Sequence, residues 1–276
     1  MKKFAIGNAE IGGKRPLLIA GPCVVEGRGM LEDTAGFLDE IAKRIGWPLV
    51  FKASYAKDNR LSDDSFSSLG SEKALSMLGE VSHNLGLPSI TDIHQPEEAA
   101  LAAQTVDCLQ IPAFLCRQSS LLRAAGATGL PVNLKKGQFL APEDLAFSAE
   151  KIARAGSDKV MLTERGSSLG YRDLVVDYRS FAVMARSGHP IVFDLTHSQQ
   201  QPGGQGGSSG GSREFVLPMA RAALALGIDG LFIEVHPEPE KALSDAATQL
   251  HFSQAEKLLL NLADLYKAME DGHALP

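Results

Sequence analysis

The sequence predicts an α/β fold, a single (β/α)8 TIM barrel, on three observations. A short aliphatic or β-branched run followed by a helical pattern recurs eight times along the 276 residues. The runs are almost continuously apolar, as parallel strands covered on both faces must be. Eight such units in about 250 residues match the size of a closed barrel. A doubly wound open sheet is the competing arrangement. It would place a G-x-G-x-x-G turn after its first strand, where this chain has Gly21-Pro22-Cys23.

Ahead of the barrel, residues 4–13 hold two short apolar stretches around Gly7-Asn8. This pattern predicts a β-hairpin within 1–14 that closes the bottom of the barrel. The eight strand-like runs are 17–20, 49–51, 88–90, 108–111, 131–134, 160–162, 191–193 and 230–233. Between them, segments such as 97–105, 141–155 and 214–227 repeat apolar residues at helical spacing and end in Gly or Pro signals. A final helix over about 253–270 puts Leu258, Leu259, Leu262, Leu265, Tyr266 and Met269 on one face, as an outer-ring helix would. The segment 199–213, rich in Gly, Ser and Gln, has the composition of a linker. It follows the seventh run, however, and barrels commonly hold phosphate in the loops after strands seven and eight, so a mobile active-site loop is expected there.

Composition narrows the function classes. Hydrophobic residues make up 44% and charged residues 22%, which excludes a disordered or fibrous chain. With 27 Lys and Arg against 33 Asp and Glu, the formal charge is -6, so no global basic field exists to hold nucleic acid. Any anionic ligand must be met by locally placed cations. Three cysteines, Cys23, Cys108 and Cys116, are too few for a disulfide-stapled secreted protein of this size. The apolar stretch after Lys2-Lys3 is shorter than the roughly 7–15 residues of a signal peptide. No run approaches the roughly 20 residues of a membrane span, so a cytoplasmic protein with no membrane partner is expected.

Chemistry in such barrels sits at the C-terminal ends of the strands. The residues there are Cys23 and Glu26; Lys52, Ser54 and Lys57; Asp92 and His94; Gln110; Asn133, Lys135 and Lys136; Glu164 and Arg165; Asp194, His197 and Ser198; and Glu234 and His236. Any one lysine would ordinarily be a solvated surface charge. Lys52, Lys57, Lys135, Lys136 and Arg165 come from three strand ends of one ring, which points to a cationic cleft for phosphate or carboxylate. Cys23, His197, Glu234 and Asp245 have the residue types of a site for Zn, Fe or Mn. Their spacing is long-range and has no specificity of its own. Adjacency of the first, seventh and eighth strands in a closed ring is what would unite them.

Taken in order, the segments Ala20-Gly21-Pro22-Cys23, Phe51-Lys52-Ala53-Ser54, Thr91-Asp92-Ile93-His94, Gln110-Ile111-Pro112-Ala113-Phe114, Asn133-Leu134-Lys135-Lys136-Gly137, Glu164-Arg165-Gly166, Asp194-Leu195-Thr196-His197-Ser198 and Glu234-Val235-His236-Pro237 resemble the 3-deoxy-D-manno-octulosonate 8-phosphate synthase family. The resemblance implies a homotetramer of barrels, each with an N-terminal hairpin. It implies condensation of phosphoenolpyruvate with arabinose 5-phosphate, a step of lipopolysaccharide biosynthesis. In that family a Cys at the end of the first strand marks the metal-dependent class, so Cys23 implies a divalent metal held by Cys23, His197, Glu234 and Asp245. By the same resemblance Lys52, Ser54, Lys57, Gln110, Lys135 and Arg165 bind phosphoenolpyruvate, and Asn59, Arg60 and Ser209 complete substrate binding. Asp92, His197 and Cys23 lie at the reacting centre. The chain departs from the family's sugar-binding pattern at Ala56, Asp58 and Leu61, and has Ala246 where Gly is frequent. Losing a hydrogen bond to a charged group costs about 1.5–3 kcal/mol, enough to change the preferred aldose phosphate. Two other readings stand beside this one: the related heptulosonate 7-phosphate synthase, whose second strand typically ends in Lys-Pro-Arg-Thr-Ser rather than Lys52-Ala53-Ser54, and a non-catalytic anion-binding paralogue.

Overall fold

A computed structural model describes residues 2–58, 66–171, 173–201 and 210–270 of the chain. Two short strands, β1 (Phe4–Ile6) and β2 (Ala9–Ile11), pair antiparallel around Gly7, whose φ of 54° suits the residue without a Cβ. Eight strand–helix units follow. They are β3 (Leu17–Gly21) with α1 (Arg28–Ile45), β4 (Leu49–Lys52) with α2 (Ser71–Leu85), β5 (Ser89–Asp92) with α3 (Glu98–Ala102), and β6 (Cys108–Ile111) with α4 (Ser119–Ala127). Then come β7 (Val132–Lys135) with α5 (Leu145–Ala155) and β8 (Val160–Glu164), which leads through a rim hairpin of β9 (Ser167–Leu169) and β10 (Asp173–Val175) to α6 (Arg179–Ala185). Last are β11 (Ile191–Asp194), a small ladder of β12 (Gln200–Gln201) and β13 (Gly210–Gly211), α7 (Val216–Ala225), β14 (Gly230–Glu234) and α8 (Phe252–Met269).

The eight parallel strands close in the order β11-β14-β3-β4-β5-β6-β7-β8, with β8 paired back to β11. The predicted barrel is therefore present, and the first strand stands beside the last. The helix expected over 97–105 is α-helical only through Ala102, after which tighter turns carry the chain to Val106. The rim hairpin was not anticipated. Within the glycine-rich segment the two ends pair, Gln200 with Gly211 and Gln201 with Gly210. Residues 202–209, including Ser209, and residues 59–65, including Asn59, Arg60 and Leu61, lie outside the described residues.

Because side chains alternate along a strand, every second residue of each strand points into the ring. At the lower level these are Leu17, Ile19, Val50, Ile90, Cys108, Met161, Val192 and Phe232, and they form one apolar cluster with Phe4, Ile6, Ala9 and Ile11 of the hairpin. The hairpin thus plugs the bottom. A second, larger core lies between the strands and the helices. Two residues further along the strands the inward positions are Gly21, Lys52, Asp92, Gln110, Thr163, Asp194 and Glu234, so the lining changes from apolar to polar at one level of the ring. A Cβ at Gly21 would lie 1.9 Å from the Lys52 carbonyl oxygen, so only glycine allows these two strands to approach there.

Candidate active site

The polar level forms the floor of the barrel mouth. On one side, uncharged and acidic groups make a continuous hydrogen-bonded chain across neighbouring strands. Thr163 Oγ1 donates to Asn133 Oδ1 at 2.5 Å, Asn133 Nδ2 donates to Gln110 Oε1 at 2.8 Å, and Gln110 Nε2 donates to Asp92 Oδ1. Ser54 Oγ donates to the other Asp92 oxygen at 2.6 Å. Asp92 therefore has both oxygens engaged. Burial opposes its ionisation, but Lys52, Lys57, His94 and the Ser54 hydroxyl outweigh that, and its carboxyl is held well below the usual carboxylate range.

The opposite side is an ionic lattice. Lys52 Nζ donates to Glu234 Oε1 at 2.7 Å and to the Cys23 carbonyl at 3.0 Å. Lys135 Nζ donates to Asp194 Oδ2, and Lys57 Nζ lies 3.8 Å from Asp92 Oδ2. Lys136, fully buried, is 3.4 Å from Glu164 Oε1 and donates to Ser167 Oγ at 3.0 Å, anchoring the rim hairpin. Phe232 floors the lattice: Lys135 Nζ is 3.4 Å from its ring centroid and Lys52 Nζ 5.4 Å. Burial pushes the Lys135 ammonium down from its ordinary value against the opposing pull of Asp194. For Lys57 burial acts in the same direction, but the surrounding acidic groups, Asp92, Glu234 and Asp245 among them, outweigh it and raise its affinity for the proton. Arg165 Nη2 donates to Gln200 Oε1 at 2.7 Å, whereas its buried Nη1 has no partner among the described residues.

Of the four predicted ligand residues, Cys23, Glu234 and Asp245 come together at the seam between β14 and β3, and His197 approaches two of them from the end of β11. Single ligand atoms of Cys23, Glu234 and Asp245 all lie within 4.8 Å of one another. Cys23 Sγ is 3.2 Å from Asp245 Oδ2, and His197 Nε2 is 3.6 Å from Glu234 Oε1 and 3.8 Å from Asp245 Oδ2. His197 Nδ1 lies 2.8 Å from Asp194 Oδ2 without hydrogen-bond geometry, and its Nε2 faces the cluster. Glu234 Oε2 is buried with no hydrogen-bond partner among the described residues. Burial, reinforced by the Asp245 and Glu234 carboxylates, pushes the Cys23 thiol well above its ordinary value. Asp245 is, among the described residues, the one non-glycine residue with left-handed backbone, φ 49°. An orphaned carboxylate oxygen beside a thiol, an imidazole lone pair and a second carboxylate is a donor set that fits a divalent cation, whose charge would reverse the penalty on the thiolate.

Of the residues predicted from sequence, Cys23, Lys52, Ser54, Lys57, Asp92, Gln110, Lys135, Arg165, His197, Glu234 and Asp245 are thus described at one mouth. Asn59, Arg60 and Ser209 fall outside the described residues. Asn133 and Asp194 had been placed at strand ends without a role, and Thr163 had not been singled out. Counting inward positions in steps of two from Met161 and Val192 would have reached Thr163 and Asp194.

Fold and mouth together define a (β/α)8 barrel that gathers cations above a polar floor, with a thiol–carboxylate–imidazole cluster at the seam of its first and last strands. The particular family follows from comparison: the DAHP synthetase I family matches residues 3–271, and the chain belongs to it. It is 52% identical over 262 residues to a Pelobacter propionicus protein named 2-dehydro-3-deoxyphosphooctonate aldolase, covering 95% of this chain and 96% of the relative. A Geobacter metallireducens protein of the same name is 52% identical with the same coverage. A third relative so named, from Laribacter hongkongensis, is 52% identical over 255 residues and 90% of each chain.

Proposed function

We propose that this chain condenses phosphoenolpyruvate with arabinose 5-phosphate to 3-deoxy-D-manno-octulosonate 8-phosphate and phosphate. The observation that carries the reading is the ring of Lys52, Lys57, Asp92, Gln110, Lys135 and Arg165 at one barrel mouth, in a chain about half identical to relatives named for the octulosonate product. In the reaction the enol carbon of phosphoenolpyruvate forms a bond to the sugar's aldehyde carbon, and the aldehyde oxygen gains a proton. Water adds to the adjoining carbon, and phosphate departs by cleavage of its C–O bond.

The cations hold the phosphate and carboxylate groups and screen their mutual repulsion. Arg165 Nη1, buried without a partner among the described residues, is a donor that can do so. Asp92 is held ionised so far below neutrality that it is a poor general base; its work is to orient the Ser54 hydroxyl and the Gln110 amide around the substrate. Cys23, His197, Glu234 and Asp245 would hold a divalent metal, which when bound supplies Lewis-acid polarisation of the aldehyde or of the attacking water. With Glu234 and Asp245 engaged as ligands, Lys52 is left with surplus positive charge for an anion. Phe114, Phe139, Leu169 and Tyr171, on loops after three consecutive strands, are each more than half exposed, which supports burial of this rim against other copies in a homotetramer. Among the described residues no helix is long and apolar enough to cross a membrane, in keeping with a cytoplasmic enzyme.

Phosphate release in the presence of phosphoenolpyruvate and a panel of aldose phosphates, with mass analysis of the product, tests the reading. Turnover with arabinose 5-phosphate that a chelator abolishes and a divalent metal restores is expected. Binding of phosphoenolpyruvate without turnover on any five-carbon sugar phosphate would overturn it.

A further inference from the structure

The β3–β14 ladder ends at the pairing of Gly21 with Glu234, so that register does not set the spacing of Cys23 from Asp245; Cys23 is tied on its other side, where its carbonyl accepts from the Ser54 N–H at 3.3 Å, and Asp245 lies on a separate loop. Yet Cys23 Sγ and Asp245 Oδ2 approach to 3.2 Å. We propose that Gln249 is the positioning residue that holds these two loops at ligand spacing; the proposal rests on the reading of Cys23, His197, Glu234 and Asp245 as metal ligands.

Gln249 is completely buried on the stretch between Asp245 and α8. Its Oε1 accepts from the Cys23 backbone N–H at 3.1 Å, and its Nε2 donates to the Ser244 carbonyl at 2.8 Å. One side-chain amide therefore joins the loop after the first barrel strand to the loop after the last. Its own backbone N–H donates to the Asp245 carbonyl at 3.2 Å, beside that of Thr248 at 3.0 Å. These two bonds close the turn in which Asp245 takes its left-handed conformation, a state that costs a non-glycine residue about 1–3 kcal/mol unless its surroundings impose it. Ser244 Oγ, on the residue whose carbonyl Gln249 engages, lies 2.9 Å from Cys23 Sγ. Both partners of the amide are backbone groups, so the brace sets main-chain spacing without using any ligand atom. An amide is required because one end must accept and the other donate. Methionine at this position would leave the Cys23 N–H and the Ser244 carbonyl unpaired in the interior, and a carboxylate would turn an acceptor toward the Ser244 carbonyl.

The test is equilibrium Co(II) binding to the full chain in competition with a chelator, read together with the thiolate-to-Co(II) charge-transfer band, for wild type, Gln249→Met and Gln249→Glu. Circular dichroism and thermal melting establish that each is folded. Outer-sphere partners of ligands are typically worth roughly 10–100-fold in metal affinity, and Gln249→Met is expected to lose that much and to weaken the band. Gln249→Glu, which keeps the acceptor for Cys23, should fall between. Folded variants that bind Co(II) within about twofold of wild type with an unchanged band overturn the proposal, because that loss is far below the expected range. If Gln249→Met does not fold, Gln249→Glu decides by the same criterion. A wild-type chain that takes up no Co(II) overturns the ligand reading and the proposal with it, whereas a wild type that binds beside variants that bind equally well overturns the proposal alone.

Discussion

Asn133 is the middle member of the hydrogen-bonded floor, and its replacement has a consequence that can be worked out in advance. The side chain is fully buried, donating to Gln110 Oε1 at 2.8 Å and accepting from Thr163 Oγ1 at 2.5 Å. Asn133→Leu fills nearly the same space and leaves two buried groups without partners, the Gln110 carbonyl oxygen and the Thr163 hydroxyl. At about 1–3 kcal/mol for each orphan, the variant should lose about 2–6 kcal/mol of stability. Thr163→Val, which is close to isosteric, orphans only Asn133 Oδ1 and should lose about 1–3 kcal/mol. In the double variant the Thr163 hydroxyl no longer exists, so only the Gln110 oxygen is orphaned, and the loss should again be about 1–3 kcal/mol. The singles sum to three orphans and the double carries one, a coupling of about 2–6 kcal/mol that a double-mutant cycle in urea measures directly. If the two substitutions add to within about 0.5 kcal/mol, the floor is not a connected chain and the argument fails.

Two further perturbations probe the lower half. Burial raises the Asp229 carboxyl from 3.8 to about 6 although it accepts the Ile191 N–H at 2.7 Å, so the folded state binds this proton more tightly than the unfolded chain does. Stability from this group is then complete below about pH 4 and is lost as pH rises through about 6, a fall of about 3 kcal/mol at 1.36 kcal/mol per pH unit. Asp229→Asn should melt higher than wild type at pH 7.5 and match it near pH 4, and equal differences at both pH values would refute the linkage. Ile6, fully buried in the plug of the barrel, should cost about 2–5 kcal/mol when truncated to Ala. Thermal melting checks that figure, while Michaelis constants for both substrates at a temperature where the variant is folded should stay at the wild-type values.

The eight strands were legible because each contains a short, mostly apolar run, yet most runs read from apolarity stop one or two residues before the observed strand does. Beside Gly21, Thr91 and Thr163, the missing residues are Lys52, Asp92, Lys135, Glu164, Asp194 and Glu234, which continue the ladder while being charged. A solvent-exposed strand would place such residues outward. Here the ring encloses its own polar level, so charge marks the strand's end in sequence but not in hydrogen bonding. The rim hairpin gave no such signal, since the Ser167–Leu169 and Asp173–Val175 strands are mostly exposed and pack little against the core. Gln249 was illegible for a different reason. Its partners are main-chain groups of Cys23 and Ser244, and main-chain partners leave no trace in residue type.

The two levels of the barrel divide the work between them. Below, the hairpin and the inward aliphatic residues form an apolar cluster of the sort that supplies folding free energy by removing hydrocarbon from water. Above, Lys52 faces Glu234, Lys135 faces Asp194, Lys57 approaches Asp92 and Lys136 lies beside Glu164. Buried pairs of this sort are about neutral or unfavourable beside well-packed apolar residues of the same volume, so stability alone does not account for placing four of them at this end of the barrel. Ligand chemistry does. A mouth whose cations were unpaired would repel itself apart before any substrate arrived, whereas pairing stores positive charge in fixed positions until anions enter. Arg165 then completes the logic, since its Nη1 is buried at the same mouth with no acceptor among the described residues, a donor that an incoming phosphate or carboxylate can satisfy.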